Sequence, residues 1–334
     1  MSEEQGLPHT IRRVIRGIHS ISDDFGRQFL LKSYGRAQRS LGTADPRLGG
    51  GSALPRESTN YRFFSAHKSF GSIADFLRQK RPVKHFTVWE KGLPIDCSFN
   101  LQKGAPLVTV FHGAAAESVR LPFLSGAGVT AELESSVLSI SDPSLYLDPA
   151  LNLAWFAGSS IQDDLPMTIS QIIRKLATTS GAKKLIFLGG SGGGFASLNM
   201  LGYFPTATAI VMNPQTDIDR YHRPSVNRYI KFAWRNDTSL YTEKCNRSVF
   251  MSTDIASRAG GRVFYLQNSN DIFHIKNHLE PFKKRHEGVE NFRILVDAWK
   301  AGHTPPPKEL TRQVLDSVVS ERNGEGVHHL FRPL

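Results

Sequence analysis

A serine, an aspartate and a histidine stand in the chain at Ser191, Asp271 and His303, each in a polar or glycine-rich stretch that follows an apolar run. A serine hydroxyl needs a base to take its proton. The base needs an acid to hold its tautomer, and the oxyanion formed at a carbonyl needs amide donors. Ser191 is the centre of Gly189-Gly190-Ser191-Gly192-Gly193, which comes directly after the apolar residues 185–188 and opens into Gly194-Phe195-Ala196-Ser197-Leu198. The order is strand, tight turn, helix. This is the pattern of a nucleophile elbow, where small neighbours let strand and helix approach while one side chain stands outward. A dinucleotide fingerprint does not fit, because Phe195 stands where its third glycine is required, and no Gly-Lys-Ser/Thr end makes a phosphate loop.

The base expected from the sequence is His303, in Trp299-Lys300-Ala301-Gly302-His303-Thr304-Pro305-Pro306-Pro307, where three prolines stiffen the turn and delay the next helix. The expected acid is Asp271, 80 residues after Ser191 and 32 before His303. Asp217 competes for that role and Asp297 is a third choice, while His274 either lines the site or caps the following helix. The amide of Gly192 should be one oxyanion donor. The second should come from Phe111-His112-Gly113-Ala114-Ala115, with Ala114 preferred and Gly113 as fallback, and His112 serving the scaffold rather than the chemistry.

Elements able to position these residues are legible in the hydrophobic pattern. Residues 84–90 and 95–99 read as an antiparallel hairpin through Lys91-Gly92-Leu93-Pro94. Apolar runs at 107–111, 136–140, 185–188, 208–212, 262–266 and 292–296 read as buried strands, separated by helical patterns at 167–177, 194–203, 275–285 and 308–319. Buried strands alternating with helices imply an α/β fold with a mainly parallel sheet covered on both faces. Between 217 and 260 the alternation stops and the chain turns basic and aromatic, which reads as a cap insertion above the strands' C-terminal ends. Residues 1–60 hold a basic amphipathic helix at 11–37 and a Gly/Ser/Pro-rich linker at 42–60. The main domain is expected at 61–320, and 321–334 reads as a short flexible tail.

The chain has 334 residues, of which 40% are hydrophobic, enough for one large α/β core. Cys97 and Cys245 are too few for a disulfide framework and have no metal-ligand spacing. No apolar run is long enough for a signal peptide or a membrane span, so the expectation is a cytoplasmic protein, peripheral to a membrane surface at most. A formal charge of +11 favours an anionic surface or acidic glycan as partner, without any motif for specific nucleic-acid binding.

In its G-x-S-x-G elbow, its His-Gly oxyanion loop and its Ser, Asp, His order, the sequence resembles the α/β-hydrolase superfamily over residues 84–320. The resemblance implies an eight-stranded, mostly parallel sheet, an acyl-serine intermediate and no metal or organic cofactor. The loop reads His-Gly-Ala-Ala rather than the His-Gly-Gly-Gly of many lipases and esterases. Some carbohydrate O-acetyltransferases of bacterial surface polysaccharides are similar to this fold and triad. Three functions stand open at this point: an ester hydrolase acting on a small acyl ester, an O-acyltransferase serving an anionic glycan, and a non-catalytic binding protein on a hydrolase fold.

Overall fold

The computed structural model describes residues 67–320 and 327–334. The basic helix expected at 11–37 and the linker at 42–60 lie outside the described residues. Ten strands form one sheet in the order β1-β2-β3-β5-β4-β6-β7-β8-β9-β10. The hairpin is β2 (His85–Glu90) and β3 (Leu93–Asn100), antiparallel and turned through Lys91 and Gly92, which both have positive φ. Strand β3 then lies antiparallel to β5 (Ser136–Ile140), and from there the sheet is parallel through β4 (Leu107–Phe111), β6 (Leu185–Gly190), β7 (Thr208–Met212), β8 (Arg262–Asn268) and β9 (Phe292–Asp297). Strands β2 to β9 are the eight-stranded sheet implied by the resemblance. Two short edge strands extend it, β1 (His67–Phe70) beside β2 and β10 (Arg332–Pro333) beside β9.

The central strands are apolar on both faces because both faces are covered, so their side chains split into two packed layers. One layer is built on Val108, Val110, Ile186, Leu188, Ile210 and Leu266 against the last helix. The larger layer gathers Phe111, Phe187 and Phe195 with the helices of the opposite face. In chain order the helices are α1 (Ile73–Arg78), α2 (Ala127–Thr130), α3 (Leu165–Ser180), α4 (Gly192–Met200), α5 (Arg223–Ala233), α6 (Thr238–Lys244), α7 (Phe250–Ala259), α8 (Ile272–His274), α9 (Glu280–Arg285) and α10 (Lys308–Ser320). A π-helical turn, Ile275–Leu279, joins α8 to α9.

Two regions differ from their sequence reading. Within the expected cap, Tyr229, Trp234 and Tyr241 are fully buried and stack edge-to-face on one another, so these three are core for α5 and α6, whereas half-buried Tyr221 packs beside His274 at a centroid distance of 5.8 Å. The polar composition of 321–334 predicts a flexible tail, yet its last residues are docked. Phe331 is buried against Phe264, with ring centroids 5.2 Å apart, and Arg332–Pro333 pairs with β9. One aromatic ring outweighs the polar residues around it because burying it removes a large apolar area from water.

Candidate active site

Ser191 sits between the last residue of β6 and the first of α4, with φ 55° and ψ −120°. A non-glycine residue in this region costs about 1–3 kcal/mol and persists only where its surroundings over-determine it. Here they do. The Ser191 N–H donates to the Met212 carbonyl at 2.9 Å, and its carbonyl accepts from Phe195 and Gln215. The flanking glycines are required by close approach: a Cβ on Gly189 would lie 2.2 Å from the Gly193 carbonyl oxygen, and one on Gly193 would lie 2.2 Å from that of Phe111. Strand, elbow and helix could not close with any larger residue at these positions.

The histidine loop is held by two asparagines at the ends of neighbouring strands. Asn213, itself at φ 41°, donates to the Thr304 carbonyl at 2.8 Å and accepts the Asn268 N–H at 2.7 Å. Asn268 donates to the carbonyls of Lys300 and Gly302 at 2.7 and 2.8 Å. These bonds bring His303 to Asp271, with Nδ1 donating to Oδ2 across 2.5 Å. The two competing acids are elsewhere. Asp217 caps its own short turn by accepting the Asp219 N–H, and exposed Asp297 accepts the Ala298 N–H.

Asp271 is shared by a second histidine. His274 is only 1% exposed, places Nδ1 2.9 Å from Asp271 Oδ1, and stacks on His303 with centroids 3.9 Å apart and planes 13° from parallel. Burial alone would raise the Asp271 pKa, but hydrogen bonds from His274 and His303 prevail and hold the carboxyl well below its usual range. Burial lowers the His274 pKa, only partly opposed by Asp271, so His274 is a neutral donor. These three side chains lie close enough to suit a metal ion, their ligand atoms being within 4.8 Å of one another. Both Nδ1 atoms are hydrogen-bonded to the Asp271 carboxylate in this arrangement, which engages them as donors to the acid.

Gln215 completes the constellation. Its Oε1 accepts from buried Trp155 Nε1 at 2.9 Å, which orients the amide. Its Nε2 therefore faces the site, donating to Ser191 Oγ at 2.7 Å and to His274 Nε2 at 3.1 Å. In this state Ser191 Oγ is held by Gln215 and makes no hydrogen bond to His303. Next to it, the N–H of Thr216 donates to His278 Nδ1 at 3.2 Å, and burial pushes His278 down to about 3, which keeps that acceptor neutral. Sequence reasoning missed Gln215 and left His274 without a role. A lone Gln after a strand carries no motif; only the β7–β6 adjacency puts it beside the serine.

The loop expected to supply the second oxyanion donor leaves the end of β4 at Phe111 and passes beside the elbow. Buried His112, lowered to about 4 by burial, donates from Nδ1 to the Gly113 carbonyl at 2.7 Å and accepts the Asp142 N–H on Nε2 at 3.0 Å. Pulling that carbonyl toward His112 turns the Ala114 N–H to the opposite side of the same peptide plane. The Ala115 N–H is already taken by the Asn152 carbonyl, whereas those of Gly113 and Ala114 have no partner among the described residues. Gly113 borders the elbow, since a Cβ placed on it would lie 3.6 Å from Ser191 Cβ. Gly192 is the first residue of α4, so its N–H has no acceptor within the helix.

No protein-family model matches the chain, and no curated protein does. Solved structures do. The capsule O-acetyltransferase of Neisseria meningitidis serogroup A is similar at 18% identity and a TM-score of 0.52, over 69% of this chain and 95% of that one. A glycosylation associate protein complex from Streptococcus agalactiae is similar at 14% and 0.53, over 73% of this chain and 48% of that one. An acylaminoacyl peptidase of Pyrococcus horikoshii is similar at 11% and 0.50, over 77% and 44%. With the sheet order above, this likeness defines the fold as the α/β-hydrolase fold. Among the described residues, no helix is long and apolar enough to cross a membrane.

Proposed function

We propose that the protein is a serine-dependent ester hydrolase that works through an acyl-enzyme. The observation that carries this reading is the 2.5 Å hydrogen bond from His303 to Asp271, in loops held beside a serine in the strained elbow conformation. His303 Nε2 takes the proton as Ser191 Oγ attacks the ester carbonyl. Asp271 holds the imidazole through Nδ1 and stabilises the imidazolium. The N–H groups of Gly192 and Ala114, with Gly113 as fallback, receive the oxyanion. Collapse expels the alcohol, protonated by His303, and water activated by the same histidine releases the acid. His274 anchors the carboxylate from its buried side, and Gln215 holds Ser191 Oγ in the resting state, a bond that gives way as Oγ turns to His303 and the carbonyl.

A second reading is transfer of the acyl group to a hydroxyl of an anionic glycan. It is supported by the likeness to a capsule O-acetyltransferase across nearly the whole of that chain, and by the net charge of +11. It shares every catalytic group with hydrolysis and differs in which nucleophile reaches the acyl carbonyl. The non-catalytic alternative has less support, since it leaves the strained serine and the shared carboxylate without a purpose.

The test is intact-protein mass spectrometry after treatment with a fluorophosphonate. One adduct is expected on the wild-type protein and none on Ser191→Ala, with strongly slowed labelling of His303→Ala. A folded wild-type protein that takes no adduct would overturn the catalytic reading. Polysaccharide or sugar acceptors that divert the acyl group from water would favour transfer over hydrolysis.

A further inference from the structure

Beside the elbow, on the face covered by α2 and α10, lies a cavity of about 540 Å³ to which the chemistry above assigns no substrate group. Its size falls within the roughly 300–1,000 Å³ of small-molecule sites. One end reaches Gly113 and Gly190, the backbone on either side of the serine. Its walls are apolar, from Val110, Leu188, Met212 and Val129, and Lys308 at the start of α10 lies at its rim. Glycines let α2 pack closely here: a Cβ on Gly126 would lie 2.7 Å from Val110, and one on Gly128 would lie 3.3 Å from Lys308 Nζ, so the Lys308 side chain lies directly over Gly128.

The electrostatics of this cavity are one-sided. No carboxylate lines it, and His112, the other ionisable group there, is neutral. Lys308 forms no ion pair among the described residues, and Glu132, the acid that follows α2, is paired with Arg312 instead. A lone ammonium at the end of an apolar cleft is a counter-ion site. The other end of the same cleft is the proposed oxyanion loop.

We propose that this cavity is a substrate subsite for an anionic group, carboxylate or phosphate, borne several atoms from the reacting carbonyl of an ester or thioester, with Lys308 as its counter-ion. The inference rests on the acyl-transfer reading for what occupies the near end, while the charge at the far end is read from the cavity alone. The anion could belong to the acyl half, as in a dicarboxylic half-ester, or to the leaving half, as in a phosphopantetheine thioester.

Two measurements test it. Calorimetric titration of Ser191→Ala with monomethyl glutarate, phosphopantetheine and neutral dimethyl glutarate reads binding without turnover. At least one of the two anions is expected to bind more tightly than the diester and to lose tenfold or more in affinity when Lys308→Glu is added; which anion does so identifies the half that carries the charge. In the Ser191 protein, the kcat/KM ratio of p-nitrophenyl hemiglutarate to p-nitrophenyl pentanoate should fall at least tenfold on Lys308→Glu if the acyl half is the charged one. Anion binding and substrate ratio both indifferent to Lys308→Glu would overturn the subsite. Lys308-dependent binding in a protein that takes no fluorophosphonate would support the subsite and sink the catalytic reading, so the two failures are distinguishable.

Discussion

Replacing Gln215 by leucine tests whether the bridge between serine and second histidine is part of the machinery. Leucine is similar in length and fills the same buried place, so the change removes hydrogen bonds with little change of volume. Two buried groups lose their partners, Trp155 Nε1 and His274 Nε2, each about 1% exposed. Leaving a buried polar group unsatisfied costs about 1–3 kcal/mol, so the variant should be about 2–6 kcal/mol less stable in urea unfolding. Ser191 Oγ also loses the donor at 2.7 Å. That bond belongs to the resting state and must give way on attack, so its net worth of about 0.5–1.5 kcal/mol converts to a rise of about 2- to 13-fold in the rate constant for fluorophosphonate labelling. Measured at 25 °C under conditions where the variant is folded, unchanged labelling together with unchanged stability would refute the network. A loss of stability with unchanged labelling would leave Gln215 as scaffold and remove it from the chemistry.

Three other outcomes follow from the same contacts. Asp271→Asn should slow labelling by on the order of 10⁴-fold, the scale seen when a triad acid becomes an amide, whereas Asp217→Asn and Asp297→Asn should not; equal effects from all three would undo the assignment of the acid. Phe331→Ala should lower unfolding stability by about 3 kcal/mol, because it empties a buried site against Phe264; a variant as stable as wild type would show that the C-terminal segment is not docked. Acid should destabilise the fold from pH 6.5 downward. Burial lowers His112 and His286 to about 4 and His278 to about 3. The unfolded chain therefore binds more protons than the native one below pH 6.5. Their stabilisation is complete above that pH and fades by about 1.4 kcal/mol per group per pH unit as pH falls toward the folded pKa values. Asp142, raised by burial to about 6, opposes this between about pH 4 and 6 with one group against three. A Tm that stays level from pH 7 to pH 5 would contradict the balance.

The local chain by itself determined a good deal of this protein. Apolar runs bounded by turn residues specify strands wherever both faces will be covered, and Lys91-Gly92 can hardly do anything but turn. Five small residues in a row after a buried strand specify an elbow, because any Cβ at Gly189 or Gly193 would collide with backbone. The candidates Ser191, Asp271 and His303 were legible for the same reason, as polar residues standing just past strands. What tertiary structure decided is partnership. Asp271 rather than Asp217 meets His303 because Asn213, just past β7, and Asn268, at the end of β8, tie down a loop that lies 91 residues beyond the first and 32 to 34 beyond the second. Gln215 joins the site through contacts spanning 24 and 59 residues, set by sheet order rather than by any spacing, whereas His274 meets Asp271 across three residues. Tyr229, Trp234 and Tyr241 of the expected cap and Phe331 of the expected tail became core, because composition cannot say which side of a segment will find an apolar neighbour. Backbone geometry is encoded locally, whereas the environment of a side chain depends on which distant strand becomes its neighbour.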